Sequence, residues 1–382
     1  VRLLMETLAE AGHRIDAVVF PGGEDVEIEG CRVFRTPAPR GLGPIGPGFS
    51  LKKLILDGVL APYAAWRLMR GRYDLVVAVE EAAFVARALK PIFGVPYIFD
   101  VDSSIPEQMN DKRKLPGPVL RFLQGAEAWA ARGAIGALTC CKALEDLIRG
   151  HAPDLPVQTI EDIAMLDQDD GAPSPADCDF DEPVVMYVGN LEPYQGVDLL
   201  LDGFARLDPA LPARLVVIGG APDHVAAGRA RAEALGVAHR VDYLGPRPLA
   251  DLGRYLRAAA VVASPRTQGR NTPMKVYSYL DSGRPLIATR LPTHTQVIDD
   301  EIAMLVEPTA EDMARGLASL LGDPALRARI SEAAAARVKA EFSREGYARK
   351  LNGFMARDVE PRLAKRRSGA RGAPSERLAK RG

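Results

Sequence analysis

The chain has 382 residues, 47% of them hydrophobic, and carries 49 basic against 50 acidic residues. This length exceeds the size at which a single hydrophobic core usually stops growing, so we expect two domains. The near-neutral charge argues against a nucleic-acid-binding protein, and we predict no specific nucleic-acid partner. We predict neither a signal peptide nor a membrane span, because no apolar run is long enough to cross a bilayer.

The cysteines predict neither a metal site nor a disulfide framework. None has the spacing of metal ligands, and two of them are adjacent, which disfavours a mutual disulfide. The four residues are Cys31, Cys140, Cys141 and Cys178. We therefore expect a reduced, cytoplasmic protein without a bound metal.

The first residues predict a helix, whereas a doubly wound domain normally begins with a strand. Leu4 and Leu8 have helical spacing, Gly12 is a natural helix stop, and residues 15–20 have the pattern of a strand. We therefore expect that an opening strand and its glycine-bearing turn are missing, so that the chain is truncated at its N-terminus. The alternative is that the protein begins with this helix.

The rest of the first half alternates strands with helices. The predicted strands lie at 18–20, 75–79, 97–99, 137–139 and 157–160, and the predicted helices at 51–60, 82–89 and 126–132. We assign residues 1–166 to an N-terminal α/β domain. Residues 167–183 are acidic and proline-containing and lack periodicity, so we assign them to a linker.

Segment 49–72 combines Trp66 and several leucines with basic residues. Such a segment suits a helix that lies on an anionic membrane surface, which would make the protein peripheral on the inner face of the cell membrane. It equally suits an ordinary helix of an α/β domain that buries one face. Both interpretations stay open at this point.

The second half repeats a strand, loop and helix unit. An apolar strand at 184–188 is followed by a loop from Gly189 to Gly196 and then by a helical pattern, and further strands are predicted at 215–220, 241–245, 261–265 and 285–289. This alternation indicates a parallel sheet covered on both faces. Ligands of such sheets bind beyond the carboxyl ends of the strands. Those ends carry Gly, Asn, Gln, Arg, Thr and Lys, so we predict that this half binds a nucleotide derivative.

The segment 271–275 predicts an anion site at the start of a helix. Thr272 can cap the helix and Pro273 suits its first position. Free N–H groups and the helix dipole favour an anion there, and Lys275 in the first turn suits a diphosphate. Arg266 and Arg270 precede this segment, and guanidinium groups suit phosphate oxygens. The alternative for both arginines is a solvated loop charge.

Gly189 and Gly196 also have two interpretations. Turns from strand to helix use glycine for its backbone dihedral angles alone. In addition, a side chain at either position would obstruct a sugar diphosphate packed on the backbone.

The end of the chain differs from the rest. We assign residues 184–345 to the C-terminal domain, 346–361 to a closing helix and 362–382 to a disordered basic tail. The basic residues of this tail are Arg362, Lys365, Arg366, Arg367, Arg371, Arg377, Lys380 and Arg381.

The ordered series of motifs in the second half resembles the donor half of the family 4 glycosyltransferases. The matching segments are 187–191, 195–200, 214–219, 242–245, 271–275 and 282–285. The resemblance implies the α/β GT-B architecture, in which two Rossmann-like domains with parallel sheets face each other across a cleft. It also implies transfer of a sugar from a nucleotide diphosphate sugar, with retention at the anomeric carbon, to a glycan or a lipid-linked acceptor. No cofactor and no obligatory metal are expected.

The resemblance assigns catalytic roles to Asp102 and Lys275. It places the donor against a larger set of residues: Gly189, Asn190, Gln195, Gly196, Gly219, Gly245, Arg266, Arg270, Asn271, Thr272, Pro273, Met274 and Ser278. The loop that contains Gly245 corresponds to the one that binds the nucleobase in relatives.

The sequence departs from the family pattern at charged positions. Asn190 and Gln195 stand where many relatives have Arg and Lys, and Lys275 is expected to supply part of the missing charge. Arg270 and Ser278 stand where relatives usually have two glutamates that contact the donor sugar and the ribose. These departures leave two alternatives open, a GT-B epimerase and a non-catalytic protein that binds nucleotide sugars.

Asp102 stands where relatives often have a His that faces the donor sugar. The following serines allow a plain interpretation, in which Asp102 caps the next helix. In the functional interpretation its carboxylate contacts sugar hydroxyls or accepts a proton. Glu80 and Glu81 end the preceding strand and either join this cluster or start the helix at Ala82.

Overall fold

The computed structural model describes residues 1–22, 26–37, 51–112, 114–164, 166 and 175–371. The chain divides into two compact units. The first comprises Val1–Ile160 and Ala348–Gly382, and the second comprises Glu161–Tyr347. The chain therefore returns to the first unit near its C-terminus.

The strands of the described residues pair in parallel within three sheets. Their bounds are β1 Ile15–Val19, β2 Cys31–Arg35, β3 Val76–Val79, β4 Tyr97–Val101, β5 Gly136–Thr139, β6 Val157–Thr159, β7 Val184–Val188, β8 Arg214–Ile218, β9 Val241–Gly245, β10 Val261–Ser264, β11 Leu286–Thr289 and β12 Met304–Val306.

The helices of the first unit are α1 Arg2–Glu10, α2 Leu51–Arg70, α3 Ala82–Phe93, α4 Ile105–Lys112, α5 Gly117–Gly133 and α6 Lys142–His151. Those of the second unit are α7 Val197–Phe204, α8 Pro222–Ala234, α9 Leu252–Ala258, α10 Lys275–Asp281, α11 Pro292–Thr295, α12 Ala310–Gly322 and α13 Pro324–Glu341. Helix α14 Arg344–Phe354 leads back to the first unit and continues through a π-helical turn, Met355–Val359, into α15 Glu360–Arg371.

The first unit contains a four-stranded sheet in the order β3-β4-β5-β6 and a separate pair formed by β1 and β2. Alanines of α3 and α5 pack on this larger sheet around Tyr97 and Phe99, which are buried. Small side chains bring these helices close to the sheet, and Tyr97 and Phe99 fill the space between them.

The second unit contains a six-stranded sheet in the order β12-β11-β10-β7-β8-β9. Alternate residues of its central strands enter two hydrophobic clusters, with Val185 and Val217 in one and Met186 and Val216 in the other. Both faces are therefore covered, which explains why these strands are apolar throughout. The strand order reverses between β7 and β10, and this switch point is where such sheets bind ligands.

Several predicted boundaries differ from the structure. Helix α2 extends ten residues beyond the predicted end at residue 60, to Arg70, and strands β2 and β12 were not predicted. Strand β12 has only three residues, and β2 alternates basic and apolar residues, so neither stands out by composition.

Two other assignments change in part. The predicted linker lies outside the described residues at 167–174, but Cys178 and Phe180 pack into the core of the second unit. The predicted disordered tail begins as helix α15, where the Arg366 guanidinium donates to the carbonyl of Gly94 at 3.0 Å. Residues 372–382 lie outside the described residues.

Within the described ranges, no helix combines the length and the apolar composition needed to cross a membrane.

Candidate functional site

The loops after β7 and β10 meet at the switch point of the second sheet. Gly196 has a left-handed φ of 72°, and a Cβ at this position would overlap the carbonyl oxygen of Pro265. The N–H of Thr267 donates to the carbonyl of Tyr194 at 3.0 Å. Glycine is therefore required at position 196 both for its dihedral angles and for the close approach of the two loops.

Lys275 is the first residue of α10, and its ammonium lies against the loop after β7. Its Nζ donates to Tyr187 Oη at 2.8 Å and to Gln195 Oε1 at 3.2 Å, and it lies 4.1 Å from the centre of the Tyr187 ring. Among the described residues no carboxylate is within ion-pair distance of this ammonium. Burial, aided by repulsion from Arg266, lowers the pKa of Lys275 to about 7.

Three of the predicted glycines lie side by side at the carboxyl ends of β7, β8 and β9. A Cβ at Gly189 would overlap the Lys275 ammonium, and a Cβ at Gly219 would overlap the carbonyl oxygen of Gly189. The N–H of Gly219 donates to the carbonyl of Gly245 at 2.8 Å. Gly189 therefore has no room for a side chain beside Lys275, and Gly219 has none beside Gly189, whereas a Cβ at Gly245 would meet open space.

Arg266 is fixed by the protein, so it is not a solvated loop charge. Its Nη1 donates to the carbonyl of Asn271 at 2.9 Å and to Thr293 Oγ1 at 3.1 Å, and its guanidinium lies 5.3 Å from the centre of the Tyr194 ring. Its Nε is buried and has no hydrogen-bond partner. Burial lowers the pKa of Arg266, so this cation lacks the solvation that it would have in water.

The predicted start of α10 is wrong. The helix begins at Lys275 and has no side-chain cap, because the N–H groups of Val276 and Tyr277 donate to the carbonyls of Pro273 and Met274. The hydroxyl of Thr272 is buried without a hydrogen-bond partner. A turn therefore starts this short helix, and two of the amides expected to face an anion are already used.

The other predicted site residues differ in exposure and in their hydrogen bonds. Asn190 is exposed, and its carbonyl accepts a hydrogen bond from Tyr187 Oη at 2.6 Å. Met274 and Arg270 are exposed, and Gln296 donates to the carbonyl of Arg270 at 2.7 Å. Ser278 is buried one turn after Lys275 in α10.

The sequence analysis missed Tyr187 and Tyr279 as site residues. Tyr187 contacts Lys275 directly, and Tyr279 Oη bonds to both the N–H and the carbonyl of Val188, at 2.8 and 3.0 Å. The spacing offered a signal for Tyr279, since it follows Lys275 by four residues and so lies on the same helix face.

His294 was also missed, and no local pattern marks it. It is fully buried, with Nε2 2.9 Å from Ser264 Oγ and Nδ1 2.8 Å from the carbonyl of Thr289. Burial lowers its pKa to about 4, so the ring is neutral at neutral pH. His294 thereby connects the ends of β10 and β11 beneath the loop that contains Arg266.

The first unit contains Asp102, which follows β4. The neighbouring Ser103 donates to Glu80 Oε1 at 2.6 Å, so Glu80 joins the strand-end cluster, while Glu81 is the N-cap residue immediately before α3. Glu80 has a left-handed φ of 47°, a conformation that non-glycine residues rarely adopt and that is often found at functional sites.

Protein atoms around the Asp102 carboxyl raise its pKa, and the Glu80 carboxylate adds to the effect. The residue itself is exposed, so water limits the shift. The described residues contain no group of three or more His, Cys, Asp or Glu side chains placed to bind a metal ion.

Comparison with known families gives two matches. A model described as "Glycosyl transferase 4-like domain" matches residues 1–160, and one described as "Glycosyl transferases group 1" matches residues 182–323. Together the two models cover most of the chain, one in each half.

Individual relatives match over shorter stretches. The D-inositol 3-phosphate glycosyltransferase of Corynebacterium glutamicum (strain R) is 35% identical over 162 residues, which are 39% of this chain and 37% of that protein. The match thus spans little more than a third of the length of this curated relative.

Solved structures match nearly the whole chain. A sucrose-phosphate synthase from Thermosynechococcus elongatus superposes with a TM-score of 0.72 at 20% identity, covering 97% of this chain and 92% of that one. The Anabaena protein Alr3699/HepE in complex with UDP gives a TM-score of 0.67 at 18% identity, covering 85% of this chain and 86% of that one. These similarities confirm the α/β GT-B fold class predicted from the sequence.

Proposed function

Because this chain belongs to the glycosyltransferases that the group 1 and 4-like domain models describe, we propose that it transfers a sugar from a nucleotide diphosphate sugar to a glycan or lipid-linked acceptor. The reaction retains the configuration of the anomeric carbon and needs no cofactor and no obligatory metal. The protein acts in the cytoplasm.

The Lys275 ammonium carries this proposal. It lies against Gly189 at the switch point, its hydrogen bonds go to neutral oxygens, and Arg266 repels it. A desolvated cation without a counter-charge destabilises the folded protein. The negative charge of a diphosphate at this position would balance the charge of the Lys275 ammonium and raise its pKa, so that the charged form is favoured again.

The location of Lys275 also accounts for the missing charges in the loop after β7. Gln195 occupies a position where relatives often have Lys, and the Lys275 ammonium contacts the Gln195 side chain. We infer that the cation now approaches the same place from α10, so the site keeps its charge although the loop has lost it.

The chemistry requires few further groups. The cations stabilise the charge that develops on the leaving diphosphate. In the first unit, the Asp102 carboxylate binds an acceptor hydroxyl and accepts its proton. An epimerase would change the donor without an acceptor, so incubation with donor alone separates that alternative, and a non-catalytic protein would leave donor and acceptor unchanged.

The solved structures suggest the first donor to test. Alr3699/HepE was also crystallised with UDP-glucose, so we propose a UDP-sugar as donor and use UDP and UDP-glucose as probes. The identity of the sugar and the acceptor follows from transfer assays with the full chain.

Peripheral membrane association is part of the proposal because of the exposed face of α2. Ile55, Trp66 and Met69 lie on one side of this helix and are 48%, 38% and 70% exposed, with Arg70 beside Trp66. Leu56, on another side, is 1% exposed and packs inward. Sedimentation with anionic vesicles tests this, and equal recovery of wild type and Trp66→Ala in the supernatant argues against it.

Calorimetric titration with UDP tests the proposed function. We expect Lys275→Met to weaken UDP binding about 10- to 150-fold, the effect of losing a hydrogen bond to a charged group worth about 1.5–3 kcal/mol. Lys339→Met, which changes an exposed lysine of α13, is the matched control. Equal affinity of both variants would contradict the proposal.

A further inference from the structure

The first unit contains a pocket of about 450 Å³ at the amino ends of β5 and β6. This volume is typical of small-molecule sites. The pocket opens among the ends of α5 and α6 and helix α15, and the residues before the two strands form its wall. The lining residues that matter below are Arg132, Ile135, Ala152, Asp154, Leu155 and Arg362. Asp102 follows the carboxyl end of β4, whereas this pocket lies at the amino ends of the neighbouring strands of the same sheet.

Basic side chains surround the pocket and its neighbourhood. Arg132 Nε donates to the carbonyl of His151 at 2.9 Å, and Arg362 Nη1 donates to the carbonyl of Asp358 at 2.9 Å. Lys90 Nζ donates to the carbonyl of Gly133, the residue after Arg132, at 2.6 Å. Arg366 follows Arg362 by one helical turn.

Arg87 completes this set. Its side chain packs so closely on Gly133 that a Cβ there would overlap it, and its guanidinium lies 5.2 Å from the centre of the Trp129 ring. Its Nε is buried without a hydrogen-bond partner. Burial lowers the pKa of Lys90, and repulsion from Arg366 and Arg87 adds to the shift, as expected for neighbouring cations. We call Arg87, Lys90, Arg132, Arg362 and Arg366 the basic corner.

The basic corner lacks a counter-charge. In the part of the chain that the structure describes, none of its members has a carboxylate within ion-pair distance, and their partners are backbone carbonyls and the rings of Trp129 and Tyr97. Asp154 is the one acidic side chain among the residues that line the pocket. Like charges gathered in this way destabilise the free protein and attract anions.

We propose that this pocket binds the phosphate group of a ligand. Arg132 and Arg362 donate to the phosphate oxygens, as guanidinium groups commonly do, and the other cations of the basic corner supply a favourable potential. Ile135, Ala152 and Leu155 contact the apolar part of the ligand. The phosphate belongs either to a soluble phosphate ester or to a lipid headgroup, and the test distinguishes these sources.

The experiment measures the thermal unfolding of the full chain in increasing inorganic phosphate at constant ionic strength. All proteins carry Lys275→Met, so the donor site is weakened and is identical in every protein that is compared. A difference between them therefore reports on the pocket, whether or not the proposed donor site is correct. We expect phosphate to raise the Tm of this parent and of its Arg121→Ala derivative, which lacks an exposed arginine at the other end of α5. The Arg132→Ala/Arg362→Ala derivative should lose this rise. An equal response of all three proteins, or none, overturns the proposal.

A second variant shows whether a lost response to phosphate comes from lost binding or from a folding defect. Lys90→Met removes one of the repelling cations, so without phosphate it should unfold at the same or a higher Tm than the parent, and in phosphate it should gain less. A lower Tm without phosphate, together with an unchanged gain in phosphate, contradicts the proposed site.

The source of the phosphate is identified with vesicles. Phosphatidylcholine vesicles with and without phosphatidic acid are sedimented with the same proteins. Arginine-dependent recovery with phosphatidic acid, reversed by free phosphate, assigns the site to a lipid headgroup. A phosphate-dependent Tm without vesicle binding assigns it to a soluble ester, and the absence of both effects overturns the proposal.

Discussion

The two units place opposite charges at the carboxyl ends of their strands. In the second unit, Lys275 and Arg266 lie at the switch point, and both have pKa values lowered by burial. In the first unit, Asp102 and Glu80 follow neighbouring strands, and the pKa of Asp102 is raised. Gathering like charges reduces stability, so each arrangement indicates a ligand with complementary groups: an anion for the second unit, and hydroxyl groups or a proton for the first.

The largest expected effect tests the acidic side of this comparison. Replacing Asp102 by Asn keeps its size but removes the charge and the ability to accept a proton. We expect transfer to fall about 100- to 10,000-fold, because the carboxylate accepts the proton of the acceptor hydroxyl. UDP affinity should not change, since Asp102 belongs to the other unit. A normal transfer rate in Asp102→Asn would contradict this role and would mean that the departing phosphate accepts the proton of the acceptor hydroxyl.

A structural substitution tests the close packing of loops in the second unit. Gly196→Ala introduces a Cβ that overlaps Pro265 at a left-handed φ, and we expect a loss of about 2–5 kcal/mol in the free energy of unfolding. Gly245→Ala has a similar φ of 69° but open space around it, so it should cost about 1–2 kcal/mol. Urea unfolding compares them, and equal losses would show that the overlap relaxes easily.

The smallest expected effect concerns the protonation of Lys275. Its pKa of about 7 in the folded protein lies below the ordinary value of about 10.4. Between these values the unfolded chain binds more protons, so this lysine makes the free energy of unfolding rise with pH. Lys275→Met should therefore be more stable than wild type at pH 7, by a margin that shrinks at pH 9. A constant margin in urea unfolding would contradict the lowered pKa.

Strand and helix patterns predicted the second unit well, because its strands are covered on both faces and therefore apolar throughout. The same reasoning placed Lys275, Gly189 and Gly196 at the switch point, since carboxyl ends of parallel strands share one edge. It did not find β2 or the true start of α10. A short strand with basic residues has little hydrophobic signal, and the turn at Pro273 and Met274 replaced the expected Thr272 cap.

Tertiary contacts explain the other omissions. His294 is far in sequence from Ser264, its hydrogen-bond partner, and Tyr187 has the pattern of an ordinary buried strand residue. The basic corner combines residues of α3, α5 and α15, and part of it was assigned to a disordered tail. Charge clusters that form only through folding have no spacing in the sequence from which they can be predicted.

The most direct test of the central claim exchanges Lys275 with Gln195, the residue that its ammonium contacts. Lys275 Nζ lies 3.2 Å from Gln195 Oε1, so exchanging the two residues should keep an ammonium at nearly the same place. Titration with UDP would compare wild type, Lys275→Gln and the Lys275→Gln/Gln195→Lys double variant. We predict a large loss of affinity in the single variant and a substantial recovery in the double variant. Unchanged affinity in the single variant, or no recovery in a correctly folded double variant, would contradict a diphosphate site at this lysine.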